Sequence, residues 1–160
     1  PVDRAAERIR AAVAGRSSPD FKIIARTDAR APLGMEEAMH RLKVYKEAGA
    51  DILFMDAIES PEEMKRQVGE LPGPHMVNMS ETGKTPLMSA DELEALGYKI
   101  VIFPSSMTRI MVRQLSQFMG MLRETGDSRS WLDRMASLEE TNAALGLPEL
   151  DDVSAKIRAA

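Results

Sequence analysis

Apolar positions along this chain alternate between two periods. Val2, Ala6, Ile9 and Val13 recur at helical spacing, with Pro1 at a first-turn position and Gly15 as a stop, which predicts a helix over 1–15. After the turn residues SSPD, the run FKIIA predicts a buried strand over 21–25 that ends in Arg26-Thr27-Asp28. Met35, Ala38, Met39, Leu42 and Tyr45 share one face of a predicted helix over 35–48, closed by Gly49. ILFM (52–55) then runs into Asp56, and a helix begins at Ser60 as N-cap with Pro61 behind it. HMV (75–77) leads into Asn78, SADELEALG gives a short capped helix ending at Gly97, KIVIF (99–103) gives a fourth strand, and 107–124 a long helix.

A helix followed by four strand-helix pairs with short connections argues for parallel strands covered by helices. The expected fold class is α/β, half of an eight-stranded (β/α) barrel over 1–125. Past Gly126 the pattern changes. Trp131, Met135 and Leu138 share one face of a predicted helical extension, capped by Asp127 or Ser128, and 126–160 is read as that extension with a loosely held tail or short helix. Packing of the Trp131 segment on a neighbouring element or subunit is expected ahead of cofactor binding.

Each predicted strand ends in polar or special residues: Arg26-Thr27-Asp28, Asp56, Asn78-Met79-Ser80, and Pro104-Ser105-Ser106. Barrels and open α/β sheets alike place ligands at that carboxyl end. Composition narrows the chemistry there. Among 160 residues there is no cysteine, so disulfides, thiolate metal sites and a cysteine nucleophile are excluded within the chain. Basic residues are interspersed with acids (net charge −4) and aromatics make up 4%, which argues against nucleic acid as a partner. With no long apolar run and no leader pattern, a soluble, cytoplasmic protein without a membrane segment is expected. His40 and His75 have no ligand-spaced partners and read as structural, and methionines such as Met107 and Met111 read as core filler.

Gly83-Lys84-Thr85 has the letters that end a phosphate-binding P-loop, but that loop needs a glycine five residues earlier, where this chain has Asn78. Asn78-Met79-Ser80 also fits a glycosylation acceptor, a remote reading without a secretory signal. Taken together, IIARTDAR, EAGADILFMDA, VNMSETGKTPL and GYKIVIFP stand in the order and spacing of one enzyme family. Over roughly residues 1 to 140 the chain resembles the carboxyl half of the isocitrate lyase and phosphoenolpyruvate mutase superfamily, especially methylisocitrate lyase and dimethylmalate lyase.

The resemblance implies a Mg²⁺-dependent enzyme (Mn²⁺ is an alternative) that cleaves a 2-hydroxy di- or tricarboxylic acid, methylisocitrate or alkylmalate-like, to a 2-oxo acid and a second carboxylate. It assigns Arg26 to substrate oxygens, which suits a fixed fork of donors whose charge persists at any working pH. Pairing of Arg26 with Asp28 or Asp56 is the structural alternative. It places Asp56 where the lyases carry glutamate and the mutase carries histidine. A catalytic or metal-water role there, with shortened reach, stands beside simple helix capping. Asn78 and Ser80 match a carboxylate-binding strand end, Gly83 lets backbone approach the ligand, and Pro104 resembles a strand-end proline of several carbon-carbon lyases.

The family's first four strands, its Mg²⁺-binding aspartates and a mobile loop with a catalytic cysteine match nothing here, so the metal ligands are expected outside this segment. The chain alone is expected to be inactive, its partners being a small carboxylate substrate and the missing amino-terminal half. A homotetramer that exchanges the helix near Trp131 is implied as well. Phosphonate-forming or processing mutases and oxaloacetate hydrolases or decarboxylases of the same superfamily remain open, as does a non-catalytic, self-associating half-barrel.

Overall fold

The computed structural model describes residues 1–158; Ala159 and Ala160, at the end of the expected tail, lie outside the described residues. The helices are α1 (Val2–Gly15), α2 (Arg30–Leu33), α3 (Met35–Glu47), α4 (Pro61–Glu70), α5 (Ala90–Leu96), α6 (Ser106–Thr125), α7 (Leu138–Ala144) and α8 (Leu147–Arg158). The strands β1 (Ile24–Thr27), β2 (Ile52–Met55), β3 (His75–Asn78) and β4 (Ile100–Ile102) form one sheet in the order β1-β2-β3-β4. Every pairing is parallel, with Ile24 opposite Ile52, Leu53 opposite His75 and Met76 opposite Ile100. This is α/β architecture, the four consecutive β/α units of half a (β/α)₈ barrel, as the strand pattern predicts.

Residue parity divides the sheet. Ala25, Leu53, Met55 and Val77 join the larger core with Leu42, Tyr45, Met64 and Leu93 from the covering helices. The opposite face carries Ile52, Phe54 and Met76, flanked by Ile100 and Ile102. Two strands buried on one face and apolar on the other explain why ILFM reads as a continuous hydrophobic run rather than an alternating one.

β1 starts three residues later than the apolar pattern places it. Asp51 and Ile52 N–H both donate to the Ile23 carbonyl, at 2.9 and 3.2 Å, and the Asp51 carboxylate accepts from Ile23 N–H at 2.8 Å. Arg16 closes the same knot at 2.7 Å, so pairing begins beyond Ile23 and draws Arg26 and Thr27 into the strand. The single-turn α2 was not foreseen.

Helix ends follow local chemistry. Ser60 caps α4 by accepting from Glu63 N–H, and Ser89 and Glu92 form a reciprocal capping box on α5. Gly97 ends α5 in a left-handed conformation (φ 104°), where a Cβ would lie 2.7 Å from Val68 Cγ1. At the amino end of β3, His75 is fully buried. Its Nε2 contacts the Leu71 carbonyl (3.1 Å) and its Nδ1 contacts Gln67 Nε2 (3.0 Å), while Tyr98 donates to Gln67 Oε1 (3.1 Å). His75 is therefore structural: Nε2–H donates, Nδ1 accepts, and burial holds its pKa below the ordinary value.

The chain divides into two compact units, Pro1–Arg109 and the residues from Ile110 onward. In the second unit the continuous helix expected around Trp131 is broken. Arg129–Arg134 is 3₁₀, Met135 is extended, and Ser137 starts α7 with a capping box to Glu140. Trp131 packs edge-on against Phe118 (5.5 Å) and lies under Arg134 (3.9 Å). The tail forms α8. Met107 and Met111 do not fill a core: they are 74% and 49% exposed, on a helix that buries none of its residues among those described.

Candidate active site

The carboxyl ends of β1, β2 and β3 bring three polar side chains together. Arg26 shares sheet-face parity with Phe54, which is opposite it in register, and its guanidinium lies 4.9 Å from the Phe54 ring centroid. Its Nε–H donates to Asp28 Oδ1 at 2.7 Å, and one terminal nitrogen pairs with Asp56 Oδ2 at 3.1 Å. Asn78 Nδ2 donates to Asp56 Oδ1 at 3.4 Å, and Asp56 N–H is held by the Thr27 carbonyl at 3.0 Å. Both acids offered as structural partners for Arg26 thus engage it together. Of the five guanidinium N–H groups these contacts use two, and the rest stay available to a ligand.

Beyond Asp56 the backbone turns sharply. Ala57 has φ 58°, the one non-glycine residue with positive φ among those described. An alanine in that region is held there by its surroundings. Ala57 lines a cleft of about 330 Å³ with Ala31, Asp56, Asn78, Ser80 and the turn Thr82–Thr85. Asn78 Oδ1 is buried and has no hydrogen-bond partner, alone in this respect among the described side chains. Its amide orientation follows from Asp56, which can only accept; the oxygen left over is an acceptor awaiting a donor.

Gly83 N–H donates to the Ser80 carbonyl at 2.9 Å, and a Cβ at Gly83 would stand 3.3 Å from that same oxygen. The close approach that glycine permits here is therefore within the turn itself. No helix follows directly, since α5 begins only at Ala90, so the GKT letters do not build a P-loop. The turn is tied down by Glu81, which contacts Ser106 and, at 3.5 Å, Arg109. Those contacts lower the Glu81 pKa, the Ser106 hydroxyl foremost.

Ion pairs connect the loops around the cleft. Arg30 grips Glu63 with two bonds (2.9 and 2.6 Å) and reaches Glu59 Oε2 at 3.1 Å, while Lys84 meets Glu59 Oε1 at 3.2 Å. Arg30 holds the Glu63 carboxyl below its ordinary range. Among the sequence-derived candidates, Arg26, Asp56 and Asn78 form one connected line, and Asp56, Asn78, Ser80 and Gly83 line one cleft. Pro104 sits past the end of β4, exposed and outside that lining. Ala57, Arg30 and Glu59 escape sequence reasoning: alanine carries no left-handed signal, and the salt bridges join residues about thirty apart.

Among the described residues no group of three or more histidines, aspartates or glutamates could hold a metal ion. Asp56 already faces Arg26 and Asn78 with both oxygens, so the residues present do not fit a divalent ion directly.

The sequence pattern of the phosphoenolpyruvate phosphomutase family matches residues 1–123. The 2,3-dimethylmalate lyase of Eubacterium barkeri is 42% identical over 146 residues, 91% of this chain and 50% of that protein. The petal death protein of Dianthus caryophyllus is 35% identical over 158 residues, 99% of this chain and 50% of its own length. Among solved structures, a 2,3-dimethylmalate lyase superposes with a TM-score of 0.89 at 34% identity, covering 98% of this chain and 56% of the other. Oxaloacetate acetylhydrolase bound to its product oxalate gives 0.86 at 31% identity, covering 98% and 55%. The chain thus spans about half the length of the relatives it matches. With the strand-end constellation and this agreement over nearly its whole length, the chain belongs to the phosphoenolpyruvate mutase/isocitrate lyase superfamily.

Proposed function

We propose that this chain supplies the substrate-carboxylate side of a carbon-carbon lyase acting on a 2-hydroxy di- or tricarboxylic acid of the methylisocitrate or alkylmalate type. The observation that carries the reading is the line Arg26–Asp56–Asn78, which sets a donor fork, an anionic acceptor and an unpartnered neutral acceptor side by side. The free N–H groups of Arg26 receive a substrate carboxylate in a two-point grip. Asp56 and Asn78 Oδ1 accept from the 2-hydroxyl. As the hydroxyl proton passes to the Asp56 carboxylate, the carbon-oxygen bond becomes the carbonyl of the 2-oxo acid and the adjacent carbon-carbon bond opens. Its electron pair remains on the departing carbon, conjugated with the second carboxylate, until that carbon is protonated. The Mg²⁺ implied by the family resemblance is assigned to ligands outside these residues.

A second half-barrel segment carrying those ligands is proposed to pair with β1 and β4. The reading is supported by the edge positions of these strands and by the exposure of Ile24 (45%) and Phe103 (55%). The chain by itself is then inactive. A homo-oligomer, with the homotetramer and exchange of the Trp131 region as its specific form, is supported by the exposed apolar residues Ile110, Met111 and Leu115 of α6. Cytoplasmic placement belongs to the same proposal; no helix among the described residues is long and apolar enough to cross a membrane.

A substrate panel tests this. Release of a 2-oxo acid from 2,3-dimethylmalate or 2-methylisocitrate by the enzyme containing this chain supports the lyase, and turnover of phosphonopyruvate alone overturns it. Oxaloacetate hydrolysis is the second reading, favoured by the likeness to the acetylhydrolase; oxalate and acetate as the sole products would select it.

A further inference from the structure

Among the described residues lining the Asp56–Asn78 cleft, Lys84 contributes the only positive charge, and it is not part of the Arg26 constellation. Its present partner, Glu59, is bound on both oxygens: Oε1 by Lys84 and Oε2 by Arg30. The two bonds differ in setting. The Lys84 and Glu59 side chains are 58% and 40% exposed, whereas Arg30 is 15% exposed and anchored by its double bond to Glu63. An exposed pair contributes little and is screened by salt, while the Arg30 cluster is geometrically fixed. Glu59 N–H also donates to Glu63 Oε2 at 3.0 Å, so Glu59 stays in place and hydrogen-bonded without Lys84.

We propose that Lys84 is a second carboxylate anchor, held by Glu59 in this structure and transferred to the distal carboxylate of a ligand that enters the cleft. The inference rests on the carboxylate reading above and deepens it: Arg26 takes the 2-hydroxy acid head, and Lys84 selects ligands with a second carboxylate. Lys84 reaches from a turn whose neighbours Ser80, Thr82 and Thr85 line the same cleft, and a flexible ammonium can follow carboxylates of different reach. Release from Glu59 leaves no unpaired acid behind, because Arg30 keeps its hold.

Calorimetric titration of the complete enzyme containing this chain with malate and with lactate tests the proposal, since the two probes share the 2-hydroxy acid head and differ in the second carboxylate. Lys84→Met is expected to weaken malate about tenfold and leave lactate unchanged, with Lys84→Arg retaining malate binding. Glu59→Gln removes the competitor and is expected to tighten malate. Equal malate affinity with and without Lys84, or weakening of malate by Glu59→Gln, overturns the inference. Malate bound by the unaltered enzyme but indifferent to Lys84 ends only the lysine's role. Failure of both malate and lactate to bind defeats the carboxylate reading and this inference together.

Discussion

Arg26 and Asp56 meet across the ends of neighbouring parallel strands, terminal guanidinium nitrogen to carboxylate oxygen at 3.1 Å. Asp56 orients the guanidinium while leaving donors free, so the pair presents directed N–H groups to a ligand. Replacing Arg26 by lysine keeps the charge and loses the fork. In the complete enzyme, Arg26→Lys is expected to lower kcat/KM by roughly 10–100-fold with little change in thermal stability. Steady-state kinetics beside a melting curve check this, and unchanged turnover removes Arg26 from the site.

Buried His75 makes stability depend on pH. Its folded pKa lies below the unfolded value because burial opposes the charged ring. As pH falls through ~6.5 the unfolded chain therefore takes up the proton first, and the stabilisation present above that pH declines. Urea unfolding between pH 7 and 5 is expected to show a loss of up to about 1.4 kcal/mol per pH unit from this group, and a folded His75→Gln variant a shallower slope. Equal slopes for the two chains refute the assignment.

Arg30 is the anchor of the loop network. Arg30→Met strands Glu63, which is only 22% exposed, and is expected to destabilise by roughly 1–3 kcal/mol. Glu63 has a depressed folded pKa, so its contribution is present above the unfolded value of ~4.3 and is lost as pH falls through the folded one. The variant's deficit should therefore shrink in acid. Denaturant midpoints at pH 7 and pH 3.5 measure it.

Gly97→Ala meets both a left-handed backbone and a 2.7 Å approach to Val68. A loss of roughly 1–3 kcal/mol is expected, whereas Gly15→Ala, with open space around it, should be nearly silent. A thermal scan of the two variants separates them.

The strands and the helix starts at Ser60 and Ser89 were legible because their signals are local: apolar runs and side chains that cap within three residues. β1 was displaced because its first hydrogen bonds are set by Asp51, distant in sequence from Ile23. The broken Trp131 segment carried its own signal in Ser137-Leu-Glu-Glu140, outweighed by an apolar stripe that ran across it. At the cleft, strand-end chemistry pointed to Arg26, Asp56 and Asn78, whereas the orphaned Asn78 oxygen and the turn at Ala57 exist only once the chain is folded.

The polar line across the rim has a kinetic meaning. Arg26, Asp56 and Asn78 come from successive units, and the Asp56–Asn78 contact spans only 22 residues. Contacts between sequence neighbours close short loops and form early, ahead of pairings that span a whole chain. This constellation therefore closes shorter loops than a complete ring of strands does, and its assembly does not have to wait for that ring.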